Sequence, residues 1–139
     1  MRVFLDANVL FSAAYRETGS TRAFFALADA GACMLVTSEY AAEEARRNIA
    51  MKYPDRYGDL GTLLRDTEIC REPNPATLAW AAEQHLPPKD APILAAAIDA
   101  HCHLLVTGDR THFGALYGRR LRGTVVALPA DAIDILIGT

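Results

Sequence analysis

Four acidic residues, Asp6, Glu44, Asp90 and Asp109, fall where an α/β fold gathers side chains into one crevice. Asp6 follows the apolar run Val3-Phe4-Leu5, and Asp109 follows Leu104-Leu105-Val106-Thr107-Gly108. Both runs are apolar on both faces, as strands of a covered parallel sheet must be. An acid just past the carboxyl end of such a strand lies where open α/β sheets bind ligands. Clustered carboxylates repel: at an effective dielectric near 20, each pair about 4 Å apart costs on the order of 4 kcal/mol. Such a group must share protons or hold a cation, and the expectation is a divalent metal ion.

Helical phase sorts these acids from their neighbours. On the helix expected after Ser38, the apolar stripe is Ala41, Ala42, Ala45 and Ile49. Glu43 lies about 145° from its centre and Glu44 about 115°, so Glu44 stands nearer the buried boundary. Glu43 also has Arg47 at i+4, the spacing of a surface ion pair. On the next acidic helix, Ile93, Leu94, Ala97 and Ile98 set a buried face into which Asp90 falls, whereas Asp99 points away. Asp90 also suits a plain N-cap. Asp6-Ala7-Asn8 and Thr107-Gly108-Asp109 add polar side chains, Asn8 and Thr107, that could orient acids or water beside an ion. Gly108 allows close backbone approach. The four histidines have no zinc-site spacing, and His101-Cys102-His103 reads as a turn. No GxxxxGK[ST], GxGxxG or GxSxG occurs, which disfavours P-loop, dinucleotide and serine-hydrolase chemistry.

The elements that must position these residues alternate. Strands are expected over Val3–Leu5, Cys33–Thr37, Glu68–Arg71, Leu104–Thr107 and Thr124–Leu128. Helices are expected over Thr21–Ala30, Glu39–Ala50 (capped by Ser38), Asp55–Arg65, Pro75–His85 (capped by Asn74), Asp90–Ala100, Thr111–Tyr117 and Ala130–Leu136. Asp6-Ala7-Asn8 is read as a strand-to-helix loop. Strands and helices of these lengths give a parallel sheet with helices on both faces. Trp80 and Phe24-Phe25 read as core.

The chain has 139 residues, 51% hydrophobic and 22% charged, a balance that suits one globular domain without linkers or repeats. No apolar stretch reaches the roughly 20 residues of a membrane span, and Met1-Arg2-Val3 reads as the start of a strand, not a signal peptide. Cys33, Cys70 and Cys102 are widely spaced and read as reduced thiols, which points to the cytoplasm. The net charge of −3 opposes passive nucleic-acid binding. Arginines nevertheless cluster locally at Arg46-Arg47, Arg110 and Arg119-Arg120 with Arg122. Each cluster taken alone is ordinary surface charge.

With these residues in place, the chain resembles the PIN-domain ribonucleases, including the VapC-type toxins. The resemblance runs through Leu5-Asp6-Ala7-Asn8-Val9-Leu10, then Val36-Thr37-Ser38 with Glu44 six residues on. It continues in Asp90-Ala91-Pro92-Ile93-Leu94-Ala95-Ala96-Ala97 and Leu105-Val106-Thr107-Gly108-Asp109. Pro92 departs from the pattern. Each motif is short, but the ordered set covers nearly the whole chain. The resemblance implies an α/β/α sandwich with parallel strand order 3-2-1-4-5, which reverses between the strands carrying Asp6 and Asp109. It implies Mg²⁺ or Mn²⁺ held by Asp6, Glu44, Asp90 and Asp109, with Asn8, Ser38 and Thr107 in support. It further implies hydrolysis of RNA phosphodiesters by activated water, with Arg46, Arg47 and Arg110 as phosphate contacts. An antitoxin protein and a homodimer are the partners it suggests.

Two other classes share parts of the pattern. A haloacid-dehalogenase-like phosphatase also has an acid after its first strand, a Thr or Ser after another, a Lys and a late Gly-Asp. Here Asn8 replaces its second acid, and Glu44 and Asp90 are left without a role. A phosphoacceptor receiver domain fits less well, lacking the acidic pair after the first strand. The third alternative is a non-catalytic RNA- or protein-binding module of the same fold.

Overall fold

The computed structural model describes residues 1–138. Its centre is a sheet whose first strand, β1 (Arg2–Leu5), carries three fully buried apolar residues in succession. Both faces of this strand are therefore covered, as the unbroken apolar run requires. Strands β2 (Met34–Ser38), β3 (Glu68–Cys70), β4 (Leu104–Val106), β5 (Arg120–Leu121) and β6 (Thr124–Ala127) complete the order β3-β2-β1-β4-β6-β5. The pairs β1–β2, β1–β4, β2–β3 and β4–β6 are all parallel.

The five strands expected from the sequence keep their order 3-2-1-4-5, and β5 is an addition at the edge. It pairs antiparallel with β6 across the two-residue turn Arg122-Gly123, whose φ values are 49° and 92°. Positive φ at both central positions is the hallmark of the type I′ hairpin turn. A two-residue strand has no periodicity to read, so only the turn could have revealed it.

The helices are α1 (Ala7–Tyr15), α2 (Ser20–Asp29), α3 (Glu39–Lys52), α4 (Tyr57–Arg65), α5 (Pro75–Ala82), α6 (Ala91–Asp99), α7 (Arg110–Phe113) and α8 (Pro129–Ile137). Short 3₁₀ turns cover Pro54–Arg56 and Gly114–Leu116. Helices α5 and α6 form one packed pair; α1 packs against α2, α3 and α4, and α2 against α8. Helix α1 corrects the loop expected after β1. Asp6 ends the strand and accepts a hydrogen bond from the Ala7 N–H at 2.7 Å, so α1 begins with no intervening loop. Val9, Leu10, Ala13 and Ala14 then supply a buried helical stripe. Pro92 does not distort α6, because it sits in the first turn, where no N–H is required of it.

Candidate metal centre at the carboxyl end of the sheet

The chain leaves β1 for β2 on one side, while β4 lies on the other, so a crevice opens between the carboxyl ends of β1 and β4. The Asp6 N–H donates to the Val106 carbonyl at 3.0 Å and locks the two ends together. Asn8, in the first turn of α1, bridges them again. Its amide nitrogen donates to Asp6 Oδ2 (3.2 Å) and Thr107 Oγ1 (3.1 Å), and its oxygen accepts from the Gly108 N–H (2.8 Å). A β-carbon on residue 108 would meet that same oxygen at 3.4 Å, at the edge of ordinary contact, so the approach is close. Thr107 Oγ1 also accepts from the Asp109 N–H at 3.2 Å, while the Tyr117 hydroxyl donates to the Thr107 carbonyl at 2.8 Å.

Asp6 is only 4% exposed. Burial pushes its carboxyl up to about 6; Thr107 and the Ala7 amide draw it down, while Glu44 and Asp90 raise it further. Glu44 and Asp90 are thus near enough to act on the Asp6 charge. Glu44 lies on α3 and lines a cleft of about 510 Å³ together with Asn8, Ser12, Thr21, Gly108 and Asp109. Its neighbour Glu43 turns outward, where Arg46 meets it at 3.4 Å in place of the expected Arg47. The i,i+3 and i,i+4 positions are both neighbours on a helix surface. Arg46 also meets Glu39 at 2.6 Å, so two carboxylates already occupy it.

Ser38 supports the site through the backbone: its hydroxyl caps α3 by accepting from the Ala41 N–H at 3.1 Å, which fixes the helix that carries Glu44. One turn before Glu44, Tyr40 donates its hydroxyl to the Lys89 carbonyl at 2.7 Å. Its phenol is raised by burial and by Glu44 and Asp90. The i,i+4 spacing of Tyr40 and Glu44 is the sequence signal for this shared face.

Asp90 precedes α6 without capping it, because its carboxylate makes no capping hydrogen bond. Burial raises its pKa, against the pull of His112 and Lys89. Asp109 does cap α7, accepting from the His112 N–H at 2.9 Å. Its other oxygen and Asp90 Oδ2 each lie 2.8 Å from His112 Nδ1. Yet Asp90 Oδ2 and His112 Nδ1 are buried atoms with no hydrogen-bond partner. Two carboxylates and an imidazole nitrogen thus converge, their ligand atoms all within 4.8 Å of one another. Buried donor atoms left unsatisfied require an explanation, and this set suits a divalent cation. The histidine spacings fit no zinc site, and the sequence signal for His112 is instead its position three residues after Asp109 on one helix face.

Residues 2–111 match the PIN domain family. No curated protein sequence matches the chain. Among solved structures, a chain of VapBC2 from Rickettsia felis, bound to a DNA fragment from its promoter, superposes with a TM-score of 0.67 at 17% identity. That match covers 92% of this chain and 98% of that one. A chain of FitAB bound to the IR36 DNA fragment gives 0.60 at 19% identity, covering 91% of this chain and 94% of that one. The family match over most of the chain, joined to the fold and the ordered acids, establishes that the protein belongs to the PIN domain family.

Proposed function

We propose that this protein is a Mg²⁺- or Mn²⁺-dependent endoribonuclease and the toxin of a toxin–antitoxin pair. The observation that carries the reading is the convergence of unpaired acids at the switch-point crevice, with Asp6 raised to about 6 by burial and by its acidic neighbours. Asp6, Glu44, Asp90 and Asp109 hold the ions in this reading. When bound, divalent ions supply Lewis acidity and lower the pKa of coordinated water. The remaining work falls to the chain. Asn8 and Thr107 fix the orientation of Asp6 and of the Asp109 backbone through the bonds described above. Arg47 and Arg110 serve as phosphate contacts; Arg46, engaged by Glu39 and Glu43, is the weakest of the three candidates. The antitoxin is the partner that accompanies this reading, as VapBC2 and FitAB are assemblies of that fold.

Asn8 also weighs against the phosphatase alternative. That chemistry needs a proton donor to the leaving group at this position, and both ends of the Asn8 amide are spent holding the β1 and β4 loops. The test is incubation of the protein with single-stranded RNA and with a generic phosphomonoester, in EDTA, Mg²⁺ and Mn²⁺. Metal-dependent internal RNA cleavage without phosphomonoester turnover is expected. Phosphomonoester turnover with a base-labile phosphate on Asp6 would replace the nuclease with a phosphatase.

A further inference from the structure

We propose that His112 is a ligand of the divalent ion shared by Asp90 and Asp109, and that its nitrogen tilts the site toward Mn²⁺ over Mg²⁺. The inference rests on the proposed metal-dependent reading and adds to its four acids a donor of a different kind.

The argument begins with α7. Asp109 caps this helix through Oδ1, accepting from the His112 N–H, which leaves Oδ2 facing the His112 ring three residues on. Phe113, next in sequence, is fully buried and anchors the turn. The backbone that carries the imidazole is therefore anchored. Its Nδ1 stands 2.8 Å from Asp109 Oδ2 and 2.8 Å from Asp90 Oδ2. An imidazole nitrogen carries at most one proton, so it can donate to one carboxylate, not two. Here it is at contact distance from both and hydrogen-bonded to neither. A plain histidine–aspartate pair would close one good hydrogen bond, with its N–H aimed at one oxygen.

The spacing has another reading. Around an octahedral ion with bonds of 2.0–2.1 Å, adjacent donor atoms stand about 3 Å apart. Both N···O separations match that edge. Asp90 contributes a carboxylate that caps nothing, and Asp109 contributes the one oxygen its capping role leaves over. The three atoms come from two segments, the entry to α6 and the first turn of α7, which the fold presses together.

Donor type then sets the preference. Mg²⁺ is bound through oxygen and parts reluctantly with its waters. Imidazole favours ions later in the first transition row, and affinity rises from Mn²⁺ through Fe²⁺ and Co²⁺. A nitrogen in place of a water or carboxylate oxygen should therefore strengthen Mn²⁺ and Co²⁺ binding and do little for Mg²⁺.

The experiment measures binding, not cleavage. Mn²⁺, Co²⁺ and Mg²⁺ are titrated calorimetrically into the full chain, its His112→Gln and His112→Phe variants, and Asp109→Asn. Pulsed electron-nuclear double resonance of the Mn²⁺ complex reads directly bound nitrogen. The expected result is a ¹⁴N coupling in the unaltered protein that both His112 variants lose. Their Mn²⁺ and Co²⁺ affinities should fall at least about tenfold, the scale that even indirect partners of a ligand command, while Mg²⁺ affinity changes less than threefold. Two results overturn the ligand assignment: no nitrogen coupling in the unaltered protein, or equal loss for all three ions. The metal-dependent reading fails separately, if the unaltered protein and Asp109→Asn bind none of the ions.

Discussion

Two clefts differ in how their charges are matched, and the smaller of the two holds the converging acids. The larger, about 850 Å³, is lined by Arg2, Glu68, Asn74 and Asp99 among others. Arg2, Glu68 and Asp99 are each partnered there. Arg2 grips Glu68 through two hydrogen bonds, at 3.0 and 2.8 Å, and donates Nε to the Ala100 carbonyl. Asp99 accepts from Thr77 and from the Asn74 N–H. The smaller cleft, about 510 Å³, joins Glu44 to Asp109, beside Asp6, Asp90 and an imidazole with no completed hydrogen bond. The same chemical group shifts in opposite directions in the two places. Arg2 lowers the Glu68 carboxyl, whereas burial and acidic neighbours raise that of Asp6. Volume is a poor guide to a site; unsatisfied charge is a better one.

The largest effect should follow from removing charge at the small cleft. Asp109→Asn is expected to lower metal-dependent RNA cleavage at least about 100-fold, the upper range for groups that support a metal ligand. Glu44→Gln should fall in the same range, while Glu43→Gln stays within about twofold, since an exposed pair with Arg46 contributes little. Single-turnover cleavage rates check both. The reverse ranking of the two glutamates would place the reactive edge of α3 one residue away.

Much of this contrast was legible beforehand. The phase argument on α3 held because its stripe of Ala41, Ala42, Ala45 and Ile49 is buried as expected, which fixes where Glu43 and Glu44 can stand. On α6 the stripe said less, since Ala91, Ala95 and Ala96 are buried as well. A helix buried nearly all round has no distinctive face, so the phase that put Asp90 on the buried side discriminates little there, and its place at the helix start carries more weight. Helix α1 was missed because Asp6 serves as strand end and helix cap at once, so the usual turn signals are lacking between β1 and Ala7. The partnership of His112 with Asp90 depends on packing between segments about twenty residues apart. No local pattern records it.

A second, intermediate effect concerns stability without metal. The Asp6 carboxyl titrates near 6 when folded, against an ordinary 3.8. Because the folded value is raised, the stability linked to its proton is fully present below about pH 4 and is lost as pH rises through about 6. At neutral pH the loss has a ceiling of about 3 kcal/mol. Asp6→Asn removes it but turns an N–H₂ group toward the Asn8 amide, so a net gain of about 1–2 kcal/mol is expected in EDTA at pH 7.5. The gain should shrink toward zero by pH 4.5. Urea midpoints at the two pH values decide the matter. Added Mn²⁺ should stabilise the unaltered protein in proportion to the logarithm of its concentration and do much less for the variant.

The smallest effect belongs to the large cleft, and it tests whether that cleft is only architecture. In Glu68→Gln, the side chain keeps one oxygen for the Arg2 guanidinium, and Arg2 Nε keeps the Ala100 carbonyl. What disappears is the charge of a half-exposed pair whose side chains are 26% and 44% exposed. Solvent screens such a pair, so the loss at pH 7 should be about 0.5 kcal/mol and smaller still in 0.5 M salt. Its sign with pH is opposite to that of Asp6. Glu68 titrates below its ordinary value, so its contribution is present above about pH 4.5 and is lost as pH falls through the lowered folded value. Below that value the two proteins should unfold at the same denaturant concentration. Cleavage and Mn²⁺ affinity should both remain within about twofold of the unaltered protein, because the Arg2–Glu68 pair lies in a different cleft from the converging acids. A tenfold loss of either would mean that the paired cleft also serves the reaction, and that unsatisfied charge had not separated the two.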